Sequence, residues 1–191
     1  FGTRFTVSGF NLASDDISLD GMYGTAPRQL VAIEMYDRVE ILKGASTFLN
    51  GVPPGTSGIG GSINLVPKRA TDDPITSVTT SYAYGGQAGG HLDVGRRFGK
   101  DDRFGVRTNF VYRDGETAID DEDRTTKLGS IALDYRGDKT RITFDAAINE
   151  QNIDHGRSPI NIGSALTSIP DPPSSDLNYN SEWTYSDLQD T

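Results

Sequence analysis

Between Thr76 and Asn149, apolar and polar residues alternate in five successive runs. Residues 76–84 set Val78, Thr80, Tyr82 and Tyr84 on one face, and residues 91–98 set Leu92, Val94 and Phe98 against His91, Asp93, Gly95 and Arg97. In residues 103–113, Phe104, Val106, Thr108, Phe110 and Tyr112 oppose Arg103, Gly105, Arg107, Asn109 and Arg113. Residues 127–136 and 139–149 repeat the pattern, with Ile131, Leu133 and Tyr135, then Ile142, Phe144 and Ile148, on the apolar side. A period of two predicts strands. Each run is about 10 residues long, whereas strands of a soluble sheet are usually about 5–6. Long antiparallel strands, apolar on one face and charged on the other, suit a membrane β-barrel whose outer face meets lipid and whose inner face lines a wet lumen. Short links at residues 99–102 and 136–138 alternate with long ones at 114–126 and from 150 to about 181. That is the turn-and-loop rhythm of bacterial barrels. The last link holds Pro159, Pro170, Pro172 and Pro173 and reads as irregular. Tyr84, Tyr112, Tyr135 and Trp183, near the strand ends, are expected in the interfacial girdles.

The first part of the chain reads differently. Residues 4–10 predict a short strand ended by Gly9, and residues 17–19 a second one closed by the Asp20-Gly21 turn. Thr25 as cap and Pro27 in the first helical position predict a helix ending near Tyr36. Residues 37–42 alternate again, with Arg38 and Glu40 on one face. Asn50-Gly51 and Pro53-Pro54-Gly55 are turn signals. Residues 59–66 form a strand whose first glycines, Gly60 and Gly61, suit a close backbone approach. The expected fold class is therefore an α+β unit, residues 1–73, followed by antiparallel transmembrane β-barrel strands, residues 74–191, too few to close a barrel. The chain opens on Phe1 and is expected to be a piece of a longer protein.

Composition narrows the function. A formal net charge of -9 argues against a nucleic-acid partner, because phosphates are repelled. With no cysteine, disulfide frameworks and thiolate metal sites are excluded. The sequence lacks a Walker A, a Gly-x-Ser-x-Gly elbow and a His-Glu-x-x-His pattern, so an enzyme is not expected. His91 and His155 fall in different elements and read as ordinary polar positions, with no metal site expected. The run Asp120-Asp121-Glu122-Asp123 lacks calcium-loop spacing and reads as a solvated acidic loop. Residues 55–61 are rich in glycine but precede a strand, so a conformational role is expected, not a phosphate cradle. Arg38 and Glu40 taken alone read as a surface ion pair.

One stretch carries more. Arg38-Val39-Glu40-Ile41-Leu42-Lys43-Gly44, then Leu49-Asn50-Gly51, then the run from Gly60-Gly61-Ser62 to Pro67-Lys68-Arg69 follow one another in order. Ser8-Gly9-Phe10 and Leu19-Asp20-Gly21 stand upstream. Together these resemble the plug of TonB-dependent outer-membrane siderophore receptors. The resemblance implies a plug facing the periplasm inside a barrel of about 22 strands. It also implies a ferric siderophore bound above the plug, and release driven by the inner-membrane TonB complex, whose contact region lies upstream of this stretch. Outer-membrane lipid and lipopolysaccharide are the implied surroundings, and no cofactor is implied beyond the transported ferric siderophore. By position in the family pattern, the ligand candidates are Ser8, Tyr23, Arg28, Leu49 and Asn50. The candidates for tying plug to wall are Arg38, Glu40 and Arg69. Ser8 stands where the family usually has Arg, and Asn50 where many members carry Tyr. The ligand therefore stays open, and uptake of haem, cobalamin or a glycan is the alternative within the family. A soluble β-rich binding module is the alternative outside it.

Overall fold

The computed structural model describes residues 4–13, 16–27, 32–45, 51–55, 59–83, 85–157, 171–180 and 188–190. Strands β1 (Arg4–Val7) and β2 (Phe10–Ala13) form a hairpin. Its two-residue turn places Ser8 (φ 52) and Gly9 (φ 83) in the left-handed region, as a hairpin turn that follows strand twist requires. Strands β3 (Ile17–Leu19), β4 (Met22–Tyr23), β5 (Tyr36–Lys43) and β6 (Gly61–Pro67) make a four-stranded mixed sheet in the order β4-β3-β6-β5. In it β3 runs parallel to β6, and β5 antiparallel to it. Val7, Leu12, Ile17, Tyr36, Ile63 and Leu65 are its buried core. A Cβ on Gly60 would lie 2.6 Å from the Val7 carbonyl oxygen, and one on Gly61 2.2 Å from that of Leu42. Both positions need glycine so that the β1–β2 hairpin and β5 can close on β6.

The expected helix is not found where the structure describes its span. Residues 34–35 form a turn, with the Tyr36 N–H donating to the Ile33 carbonyl (3.0 Å), and Tyr36 opens β5 opposite Pro67. The Met35 carbonyl accepts the Lys68 N–H at 2.9 Å, so sheet pairing has claimed residues whose spacing looked helical. Residues 28–31 lie outside the described residues.

The second sheet holds β7 (Ile75–Tyr82), β8 (Ala88–Phe98), β9 (Phe104–Asp114), β10 (Asp123–Arg136), β11 (Arg141–Asp154) and β12 (Leu188–Asp190), each antiparallel to the next. Its order is sequential and it does not close on itself among the described residues. Strands β10 and β11 reach 14 residues each, past the predicted ends. Asp123 pairs with Asp154, so the connection expected over 114–126 shrinks to residues 115–122. The register lines up Val78, Leu92, Phe110, Gly129 and Ile148 in one row across the sheet, and its four large side chains are exposed. On the opposite face Asp93, Arg107, Asn109 and Asp134 are buried. This inverts the arrangement of a soluble sheet, as a barrel wall with its lumen face covered does. Phe98 stacks near Phe104 (centroids 6.0 Å), and Phe104 meets Tyr135 (5.0 Å), at the short-turn end. Tyr84 and Trp183 lie outside the described residues. No helix among the described residues is long and apolar enough to cross a membrane.

Candidate functional site

Past Pro67 the chain leaves β6 and descends along the polar face of the long strands. Its residues 68–72 are gripped by a network of five cations and five carboxylates: Lys68, Arg69, Arg97, Arg107 and Arg136 with Asp20, Asp72, Asp93, Asp134 and Asp145. The Lys68 ammonium donates to Asp93 (3.0 Å), which also receives two bonds from Arg107 at 2.5 and 2.8 Å. Arg69 makes a two-pronged pair with Asp145 of β11, its Nη2–Oδ2 arm 2.7 Å long, and reaches Asp20 at 3.2 Å. Arg97 grips Asp134 at 3.1 and 2.9 Å, with side chains only 2% and 1% exposed.

The strand guanidinium groups also hold the descending backbone. Arg107 donates to the Arg69 carbonyl (3.4 Å), and Arg97 and Arg136 both donate to that of Ala70 (3.1 and 3.3 Å). Ala70 itself is buried. Arg136 adds a bond to Asp72 at 3.0 Å. Planar guanidinium forks suit this double duty, because one group presents donors to a carboxylate and to a carbonyl at once. Small residues make the room. A Cβ on Gly105 would fall 2.2 Å from Asp134 Oδ1, and one on Gly95 2.8 Å from Arg107 Cδ. Higher up, Ala32 packs on Val111 and Leu128, and Glu34 pairs with Arg113. Val111 and Leu128 are thus apolar residues on the polar face because another part of the chain covers them.

Burial works against the charge of Arg69, but the hydrogen bond and charge of Asp145 and the charge of Asp20 outweigh it, so its pKa stands above the ordinary arginine value. Arg38 and Glu40 behave otherwise. Arg38 donates to Glu40 (2.8 Å) and Asp37 (3.0 Å), Asn64 donates to Glu40 (2.9 Å), and the group is exposed. The Asn64 and Arg38 hydrogen bonds hold the Glu40 carboxyl below its usual value. These bonds stiffen the small sheet from within, and among the described residues none of them reaches β7–β12.

The ligand candidates do not gather at one point. Ser8 tips the β1–β2 hairpin, next to the Gly60 end of β6. The Asp20-Gly21 turn lies at the other end of β6, its Asp20 N–H bonded to the Leu65 carbonyl (2.9 Å). Tyr23 pairs with Ser18 inside the sheet, half-buried, and burial and nearby Asp16 hold its phenol above the usual value against a Ser62 hydrogen bond. Arg28, Leu49 and Asn50 lie outside the described residues. His91 bonds Asn109 at 3.1 Å. Among the described residues no group of three or more His, Asp or Glu is placed to hold a metal ion.

Asp120, Asp121 and Asp123 of the acidic run are exposed, as expected of a solvated loop, but Glu122 is not. Glu122 is buried and accepts from Thr117 (3.2 Å), Arg124 (3.0 Å) and the Arg157 N–H (3.2 Å). Asn178 donates to the carbonyls of Asp120 (3.0 Å) and His155 (2.9 Å). The β9–β10 connection is thereby stitched to the long connection after β11. Of the tail clasp only Arg69 was singled out from sequence, and of this staple nothing, because each joins residues far apart in the chain. The nearest signal for the clasp was Arg and Asp recurring on the glycine-bearing face of β8–β10.

A small mixed sheet, tied through its last strand to the polar face of long strands whose other face is apolar, defines a plug seated against a membrane β-barrel wall. Comparison with known proteins agrees with that class. Residues 1–61 match the TonB-dependent Receptor Plug Domain. The ferrichrome receptor FcuA of Yersinia enterocolitica is 51% identical over 188 residues, 98% of this chain and 25% of FcuA. BauA, the ferric preacinetobactin receptor of Acinetobacter baumannii, superposes with a TM-score of 0.87 at 40% identity, over 93% of this chain and 26% of BauA. The ferripyoverdine receptor of Pseudomonas aeruginosa shares the fold, with a TM-score of 0.74 at 22% identity over 97% of this chain and 25% of its own. Residues 1–61 thus match the plug of TonB-dependent receptors, and nearly the whole chain is similar to the corresponding part of such receptors. The chain spans about a quarter of the length of these relatives.

Proposed function

We propose that this chain is the plug and first wall strands of an outer-membrane receptor that imports a ferric siderophore, with the inner-membrane TonB complex supplying the drive. The supporting observation is its 51% identity to a ferrichrome receptor across 98% of the chain, which takes in the plug and the wall alike. Residues 1–73 are the C-terminal part of the plug, which faces the periplasm, and residues 74–191 begin the barrel in outer-membrane lipid and lipopolysaccharide. The work is binding and gating, with no bond chemistry and no cofactor; the ferric siderophore is cargo. Ser8 at its hairpin tip and Arg28, Leu49 and Asn50 contact the ligand from the plug, with Tyr23 bracing the sheet beneath them.

In this reading Arg69, paired with Asp145, and Lys68, paired with Asp93, tie plug to wall, while the Arg97–Asp134 pair of the wall holds the Ala70 carbonyl. Held at its C-terminal tail, the plug keeps one end fixed while the rest is free to rearrange. Arg38 and Glu40 keep β5 rigid against β6. The test is growth under iron limitation of a Gram-negative strain lacking its own receptors, given the full-length receptor and ferric ferrichrome. Growth that needs both the receptor and TonB supports the reading. If no member of a panel of ferric siderophores supports growth, while haem or cobalamin is taken up, the cargo is misassigned.

A further inference from the structure

Among the described residues, the lipid-side face of the long strands carries one strand cation that no carboxylate neutralises. Arg96 of β8 lies in the row Arg96, Val106, Leu133, Phe144, immediately above the row Phe98, Phe104, Tyr135, Ile142. Its guanidinium bends toward the start of β7, donating to Thr76 Oγ1 (2.6 Å), the Gly95 carbonyl (2.7 Å) and the Ile75 carbonyl. None of these partners is charged. Lys127, the other strand cation on this face, has Glu150 at 3.2 Å. Among the described residues Arg96 has no carboxylate within ion-pair distance.

Beside it, on the same face, is a groove of about 620 Å³ lined by Phe98, Phe104, Val106, Leu133, Ile142 and Phe144. Val106 is the cross-strand partner of Arg96, and Phe98 follows it two residues on. An unneutralised cation on an apolar membrane face is costly unless it bends to the interface and meets an anion there. An apolar groove flanked by such a cation complements one ligand chemistry: an acyl chain joined to a phosphate.

We infer that Arg96 and this groove form a binding site for an anionic glycerophospholipid at the short-turn end of the barrel. The phosphate is held by Arg96 and one acyl chain lies over Phe104 and Leu133. The inference rests on reading β7–β11 as barrel wall. Arginine suits the task, since its fork meets two phosphate oxygens while keeping a bond to the strand.

The test titrates full-length receptor in non-ionic detergent with dioleoylphosphatidylglycerol or dioleoylphosphatidylcholine, and counts bound lipid by native mass spectrometry. Wild type is expected to retain the anionic lipid about tenfold more tightly; Arg96→Gln loses that preference and Arg96→Lys keeps only part of it. Equal retention of the two lipids by wild type overturns the proposal, and so does undiminished phosphatidylglycerol retention in Arg96→Gln. Lipid A displacing phosphatidylglycerol from wild type, but not from Arg96→Gln, overturns the assignment to a glycerophospholipid. The wild-type comparison stands alone should Arg96→Gln not fold. Heat-modifiable migration on a gel is the separate check on the barrel: its loss in wild type strikes the wall reading, whereas lost lipid selectivity in a heat-modifiable receptor strikes only this site.

Discussion

Arg97 reaches across Gly105 to Asp134, closing two hydrogen bonds of 3.1 and 2.9 Å over a position where any side chain would collide with the carboxylate. The pair is shut off from solvent, and its cation also carries the Ala70 carbonyl. A buried pair broken on one side leaves an uncompensated charge, at about 3–5 kcal/mol. Asp134→Asn is therefore expected to lower the unfolding stability of the detergent-solubilised receptor by about that much, and Gly105→Ala to lower it in the same direction. An unchanged urea midpoint in both would show that the pair is not what holds the tail.

Arg69 and Asp145 join residues 76 positions apart. A double-mutant cycle on Arg69→Gln and Asp145→Asn is expected to give a coupling of about 1–3 kcal/mol. The same cycle between Arg38 and Asp145 is expected to give none that is measurable, since Arg38 is paired within its own sheet. Equal couplings in the two cycles would contradict the assignment of the tie to Arg69.

Tyr36 is buried in the plug core, and burial pushes its phenol up to about 12. The folded plug keeps a proton that the unfolded chain releases from about pH 10 upward. Stability is thus fully present below pH 10 and falls as pH rises toward 12, by about 2–3 kcal/mol in all. Tyr36→Phe is expected to lose that part of the alkaline slope. Ultraviolet titration of the two proteins checks it, and a Tyr36 that ionises near 10 in the folded receptor would refute it.

Glu122 fastens the β9–β10 connection to the one after β11 through Thr117, Arg124 and the Arg157 backbone. Glu122→Ala is expected to speed limited proteolysis near Arg157 several-fold without altering the barrel's heat-modifiable migration. Cleavage at the wild-type rate would mean that other bonds, such as those of Asn178, suffice.

The wall was the most legible part of the sequence. Period-two alternation in residues 103–113 and 127–136 fixes which side chains share a face, and backbone pairing then dictates the rows. The Asp20-Gly21 turn was equally readable, since such residues accept the positive φ at both turn positions; residues 4–10, read as one strand ended by Gly9, instead turn at Ser8-Gly9 into a second strand. At its described end the helix expected toward Tyr36 gives way to a turn and a strand because Ala32 and Tyr36 are buried by the wall and by β6, contacts that local spacing does not encode. The clasp was half visible. Arg69 was a candidate by position, but its partners Asp145 and Asp20 lie far away in sequence, and Arg38 looked equally suitable until its own Glu40 and Asp37 were seen to satisfy it. Glu122 read as solvated because its partners arrive from connections that carry no pattern.

The most direct measurement is uptake from a panel of radiolabelled ferric siderophores, ferrichrome among them, by iron-starved cells carrying the full-length receptor, with and without TonB. The account predicts saturable uptake that disappears when either the receptor or TonB is removed. Uptake independent of both, or no binding of any ferric siderophore by the purified receptor, would contradict it.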